Sequence, residues 1–238
     1  MRKAIFIPVF VLSVVVAWFI WVNAPEFFKQ SGPLLVVGLT CLFLVFIFSV
    51  ERFIVLWRAG GRGSVAAFVH KLEASLTAGR VEEAVDYCKR QGGSLANVIG
   101  AGLTRYRAVA GEAEDPAAAI TETRRALHEA NSLETPLLER NLTALSTLAS
   151  IATLIGLLGT VVGMIRAFIG MSHAGAPDAT QLALGISEAL VSTALGLTTA
   201  IIGTVLYNYF ATRVDGFSTR TAETAYEVLQ LLENRKGA

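Results

Sequence analysis

The chain has 238 residues, of which 53% are hydrophobic and 16% charged, against about 45–50% apolar and about 25% charged in a soluble domain. With a mean hydropathy of +0.56, this is the composition of a membrane protein. The formal net charge of +1, from 20 basic and 19 acidic residues, excludes nucleic-acid binding through a basic surface and an acidic disordered tail.

Four apolar runs stand out in chain order: Ala4 to Val22, Pro33 to Trp57, Leu142 to Met171 and Leu182 to Ala211. Each is long enough to cross a bilayer as a helix, which needs ~20 mostly apolar residues and satisfies every backbone N–H and C=O internally. The predicted fold is therefore an all-α integral membrane protein with four transmembrane helices and a helical cytoplasmic domain. Its segments are 1–32 (first helix and short outer loop), 33–57 (helix), 58–141 (cytoplasmic domain), 142–171 (helix), 172–181 (outer loop), 182–211 (helix) and 212–238 (tail).

The first run has a second reading as a cleaved signal peptide, because Arg2-Lys3 precedes it. Its length, Trp18 and Trp21 at an interfacial position, and Ala24 followed by Pro25 favour a retained span. The second run ends on Glu51-Arg52. Between the second and third runs the apolar positions recur at helical spacing. Ser64 caps a helix with Val65, Phe68, Val69, Leu72 and Leu76, and Gly79 ends it. Val81, Val85 and Cys88 follow, then Gly92-Gly93; Leu95, Val98, Ile99, Leu103 and Tyr106 form the next stripe up to Gly111. Asp115-Pro116 reads as an N-cap followed by proline at the first helical position. The helix it opens reaches toward the third run, with Pro136 expected to kink or break it.

Loop charge sets the orientation. The outer loops carry only Lys29, whereas the inner flanks carry Arg2, Lys3, Arg52, Arg58, Arg62, Arg140, Arg213 and Arg220, which puts both termini and the middle domain in the cytoplasm.

Glu188 is the most informative residue, since a charge within a span costs ~2.5–3.5 kcal/mol on insertion scales. It shares a narrow helix face with Ser192 and Thr199, and Gly185, Gly196 and Gly203 lie close beside them. Arg166 in the third run is a candidate partner, or else it snorkels outward. The third run places Thr143, Ser146, Thr147, Ser150, Thr153 and Thr160 on one arc, a wall facing water or another helix. For any single hydroxyl, bonding to its own helix is the plainer reading. Gly159, Gly163 and the fourth-run glycines Gly185, Gly196 and Gly203 are read as helix-packing positions. Thr160 and Thr193 fall at similar depths if the two helices run antiparallel, which would make a polar layer in mid-membrane.

Enzyme signatures are absent. Gly170-Met-Ser-His-Ala fails the nucleophile-elbow pattern at its fifth position. His70, His128 and His173 lie on opposite sides of the membrane, so no metal site is expected, and Cys41 and Cys88 have neither disulfide-framework nor metal-site spacing. No catalytic residue and no cofactor is expected.

Gly156-Leu-Leu-Gly-Thr-Val-Val-Gly-Met, together with Ile186-Ser-Glu-Ala-Leu-Val-Ser-Thr-Ala-Leu-Gly-Leu-Thr-Thr-Ala, resembles the MotA/TolQ/ExbB proton-channel family, closest to ExbB. The similarity extends from about Pro33 to Asn208 and includes Glu51-Arg52 and Leu206-Tyr-Asn. The resemblance implies three spans in the family-like part, in the bacterial inner membrane, and a ring of five copies around the helices of an ExbD-like single-span protein with a membrane Asp. It implies H+ as the transported ion, though it leaves Na+ open, and a TonB-like protein as the recipient of the motion. Thr160 and Thr193 match the family's pore threonines and Glu188 its membrane glutamate, and these three are the expected proton pathway, with Glu188 the one titrating group this chain offers at depth. Other readings are a stator for a TolQ-type, gliding or flagellar machine, or a non-conducting scaffold. The chain departs from the family in having Ile202 where a proline is common, and in its extra first span.

Overall fold

The computed structural model describes residues 3–23, 32–111, 116–173 and 179–234. Among them are eight helices and no strand: α1 (Lys3–Asn23), α2 (Gly32–Ala59), α3 (Val65–Thr77), α4 (Val81–Gln91), α5 (Gly93–Ala110), α6 (Pro116–Glu139), α7 (Leu142–His173) and α8 (Ala179–Asn234). Stretches within Leu34–Ala59, Ala117–Gly170 and Ala179–Asn234 are long and apolar enough to cross a membrane, and Phe10–Asn23 is a shorter apolar stretch. The chain is an all-α, multi-span membrane protein.

It forms two compact units, one of residues 1–51 and 141–209 and the other of residues 52–140 and 210–238. The first, the membrane unit, holds the apolar helices. Within it α1 buries the small residues Ser13 and Ala17 and exposes Phe10, Leu12, Val15, Trp18 and Phe19.

The second unit is built on the stripes read from the sequence. Phe68, Leu72 and Leu76 of α3, Val85 and Cys88 of α4, and Leu95, Val98, Ile99, Leu103 and Tyr106 of α5 are all buried in one core. Ala119, Ile120 and Leu127 of α6 and Val228, Leu229 and Leu232 at the end of α8 complete it. Each fully buried Leu or Val contributes ~1.5–3 kcal/mol. Burial pushes the Cys88 thiol up to about 12, so it is a packing residue without thiolate reactivity.

The helix stops match their sequence signals in detail. Ser64 Oγ accepts the amide hydrogen of Ala67 at 3.5 Å, and Gly79, at φ 77°, donates its N–H to the Leu76 carbonyl at 2.9 Å as α3 ends. Pro116 is the first residue of α6; Asp115, its expected cap, lies outside the described residues.

Three boundaries differ from expectation. At Pro136, expected as a kink or a break, the helix does not end: α6 runs through Pro136 to Glu139, Arg140 N–H bonds the Pro136 carbonyl at 3.1 Å, and the chain turns at Asn141 with φ 64°. Asn tolerates this left-handed conformation better than other non-glycine residues, and Arg52, 1% exposed, donates to the Leu138 carbonyl at 3.0 Å in the last turn of α6. The loop placed at 172–181 is partly helical, since α7 reaches His173 and α8 starts at Ala179; residues 174–178 lie outside the described residues. The tail from 212 continues α8 to Asn234, because nothing there breaks a helix and its apolar positions keep helical spacing.

Two glycine connections are pressed together in the second unit. A Cβ on Gly93 would lie 2.5 Å from the Ala59 carbonyl oxygen and 2.6 Å from the Gly61 nitrogen, and Arg62 N–H bonds the Gln91 carbonyl at 2.8 Å. Gly63 has an equally positive φ of 86° but open space around it. Gly63→Ala should therefore cost only the left-handed backbone penalty, about 1–2 kcal/mol. Gly93→Ala should cost clearly more, because it adds a backbone overlap. Thermal unfolding of the two variants in detergent checks the order.

Candidate functional site

The seam between α7 and α8 is lined by small residues that let two backbones meet. A Cβ on Gly163 would lie 2.8 Å from both Ala189 N and Gly185 O, and one on Gly185 would lie 2.6 Å from Ala167 Cβ. One on Gly196 would lie 2.6 Å from the Ala152 carbonyl oxygen, one on Gly203 2.8 Å from Ala149 Cβ, and one on Gly159 would overlap Ser192 Cβ. All five glycines singled out in the sequence sit on this seam. Gly156, which faces Gly196 at the same contact, and Gly38 of α2, whose Cβ would lie 2.9 Å from Leu195 Cδ2, were not singled out. Gly156 enters the sequence reading only as the first residue of a motif, and Gly38 stands among large apolar residues with no small-residue repeat to mark it.

The seam's register brings Thr160 and Thr193 together, with their hydroxyl oxygens 3.3 Å apart. Thr193 Oγ1 donates to the Gly156 carbonyl at 3.0 Å and Thr160 Oγ1 to the Leu157 carbonyl at 2.7 Å. A hydroxyl has one proton and two lone pairs, so with both protons on carbonyls the pair offers lone pairs to an incoming donor. Rotation of either hydroxyl converts it to a donor for an anion, at the loss of one local bond. Both residues are half-buried. Beside Thr160 an open groove of about 590 Å³ is lined by Val161, Met164, Ile165, Phe168 and Ile169.

Glu188 is buried, its side chain 7% exposed, and Arg166, 47% exposed, donates Nη1–H to its Oε1. Glu188 does not reach the threonine layer. It lies five positions before Thr193, roughly 140° round the helix at 3.6 residues per turn. Three other hydroxyls of α7 follow the plainer reading: Thr147, Ser150 and Thr153 each donate to the carbonyl four residues earlier. Ser192 Oγ is buried with no hydrogen-bond partner, a feature the sequence does not signal.

Fold and site together define a multi-pass helical membrane protein with a polar layer set into a glycine-packed helix pair. The MotA/TolQ/ExbB proton channel family matches residues 93–223, more than half of the chain, and the chain belongs to that family. It is similar to the biopolymer transport protein ExbB of Pseudomonas putida, 40% identical over 88 residues, 37% of this chain and 27% of that one. The Tol-Pal system protein TolQ of Haemophilus influenzae is 41% identical over 100 residues, 42% and 44% of the two chains. TolQ of Pseudomonas aeruginosa is 35% identical over 121 residues, 51% and 52%. The matched stretches thus span from about a quarter to half of these relatives' lengths.

The seam generates a paired test. Gly196→Ala should push the helices apart and destabilise the membrane unit by about 1–3 kcal/mol, the usual cost of overpacking. Ser192→Ala should be neutral or slightly stabilising, because it removes a buried hydroxyl that makes no bond. Melting of each variant in the same detergent, compared with the parent, reads both.

Proposed function

We propose that this chain is the proton-channel stator subunit of an ExbB–ExbD-type inner-membrane motor, which uses the proton motive force to energise TonB-dependent outer-membrane transport. The observation that carries the reading is the Thr160–Thr193 pair, two half-buried hydroxyls in contact at 3.3 Å within helices apolar enough to span the bilayer. Hydroxyls cannot hold a transported proton and Glu188 is bound by Arg166, so in this reading the titrating group comes from a partner: an ExbD-like single-span protein with a membrane Asp.

The chemistry follows from the two states of that carboxyl group. A neutral acid donates its O–H to a threonine lone pair and crosses an apolar sector cheaply; a carboxylate is costly in hydrocarbon and needs donors. The Thr160 and Thr193 hydroxyls supply acceptors to the first form and, after rotation, donors to the second. Protonation then licenses movement of the partner past the apolar groove beside Thr160. A homo-oligomeric ring, five copies in this reading, would surround that partner. The distribution of arginines supports cytoplasmic termini.

A second reading is a TolQ-type stator for envelope maintenance, supported by relatives named TolQ at identities close to those named ExbB. The two readings share the ion chemistry and differ in the downstream partner.

Hydrogen bonds to a charged group contribute ~1.5–3 kcal/mol each, so Thr160→Val and Thr193→Val should each reduce proton-driven activity about 10- to 100-fold. Thr160→Ser should retain most of it. Proton uptake by vesicles holding the chain with its co-purified partner is the measurement; full activity in both valine variants would sink the proposal.

A further inference from the structure

Across α7 and residues 179–209 of α8, Arg166 and Glu188 are the only Asp, Glu, Lys or Arg, and they bind each other. Their position relative to the seam decides what they do. On α7, Gly156, Gly159, Gly163 and Ala167 form the face turned to α8. Thr160 flanks that face on one side and Arg166 on the other, about 120° apart round the helix. On α8, Gly185, Ala189, Ser192 and Gly196 face α7, with Thr193 on one flank and Glu188 on the opposite one. The threonine pair and the ion pair therefore open on opposite sides of the same seam.

Further along α8, the stripe that carries Glu188 is covered by protein. Leu195 and Thr199 share its stripe, seven and eleven residues further along α8; Leu195 Cδ2 would meet a Cβ on Gly38 of α2 at 2.9 Å, and Thr199 is 0% exposed. Thr199 has its hydroxyl proton on the Leu195 carbonyl at 2.8 Å. Between Glu188 and the threonine layer lies Ser192, whose hydroxyl is buried without a partner and packed against Gly159. No hydrogen-bonded relay joins the two flanks among the described residues.

We infer that Arg166 and Glu188 form a charge-neutral strut that sets the register of α7 on α8, and that the ion route follows the threonine flank without passing through Glu188. The inference rests on the proton-channel reading above, and refines it by removing Glu188 from the route. Arg166 and Glu188 are then positioning residues, acting through the seam to bring Thr160 against Thr193. Removing one partner leaves the other charge unpaired inside the bilayer, whereas removing both leaves two amides able to bond each other.

The test is a double-mutant cycle on the full chain with its native partner, read by yield of assembled complex and by proton uptake into vesicles followed with a trapped pH-sensitive dye. Arg166→Gln and Glu188→Gln should each lower the yield at least tenfold. The double variant R166Q/E188Q should recover yield to within about twofold of the parent and conduct with an unchanged pH profile. A double variant that assembles but carries less than a tenth of the parental flux, or whose pH profile moves, would overturn the inference by placing Glu188 on the route. A double variant that assembles no better than the worse single would overturn the strut. Thr160→Val is run alongside: if the parent complex itself moves no protons, the channel reading fails, and the yields alone still decide the strut.

Discussion

Everything in the membrane unit depends on how closely two backbones can approach. Where α7 and α8 meet, a single methyl group on Gly163, Gly185 or Gly196 would fall within 2.9 Å of the facing helix. In a bilayer there is no hydrophobic force to drive two apolar helices together, so association relies on dispersion between closely fitted surfaces and on the few polar contacts they bring. Close approach also fixes register, because interlocked small residues leave little freedom to slide. The 3.3 Å contact between Thr160 and Thr193 follows from that register on one flank, and the ion pair between Arg166 and Glu188 bridges the same two helices on the other.

The second unit is held by a different balance. Its core is a conventional set of aliphatic side chains from α3 to α6 and the end of α8, and its connections depend on glycine conformation at Gly61, Gly79, Gly92 and Gly93, all at positive φ. Among the described residues of this unit Arg52 is the buried charge. Its side chain is 1% exposed and bonds the Leu138 carbonyl, one of the acceptors that the end of α6 leaves without an intrahelical donor. A guanidinium suits that role because it presents five N–H donors in a fixed fork.

Much of this was legible from the residues. Composition and run length set the membrane class, and helical spacing identified the buried stripe of α3, α4 and α5 residue by residue. Glycines at helical spacing marked the seam, and Arg166 was a nameable partner for Glu188. What sequence could not supply were facts that depend on a neighbour. Arg52 reads as one of several arginines at an inner boundary, and its burial is visible only once α6 ends beside it. Pro136 is the stronger helix breaker on paper, yet a proline removes one donor whereas Asn141 reverses the sign of φ, so the chain turns at the latter. Periodicity places Glu188 and Thr193 on different sides of α8, but only the Gly38–Leu195 contact shows that α2 covers the glutamate's stripe two turns further along.

The two flanks of the seam have opposite electrostatic requirements. A carboxyl group that changes charge in every cycle needs ligands that can both accept and donate, that do not themselves carry charge, and that are open to the group's approach. Half-buried threonines meet all three conditions. A carboxylate that only holds structure needs the reverse: a fixed cation, exclusion of water, and no competing proton donor. Glu188, 7% exposed and bound by Arg166, sits in that second environment. Loss of its charge would leave the guanidinium without a counterion inside the bilayer. In the proposed channel, separation of the two environments by the width of one helix would let the same seam keep one pair of charges matched while it exposes hydroxyls to a group that changes charge.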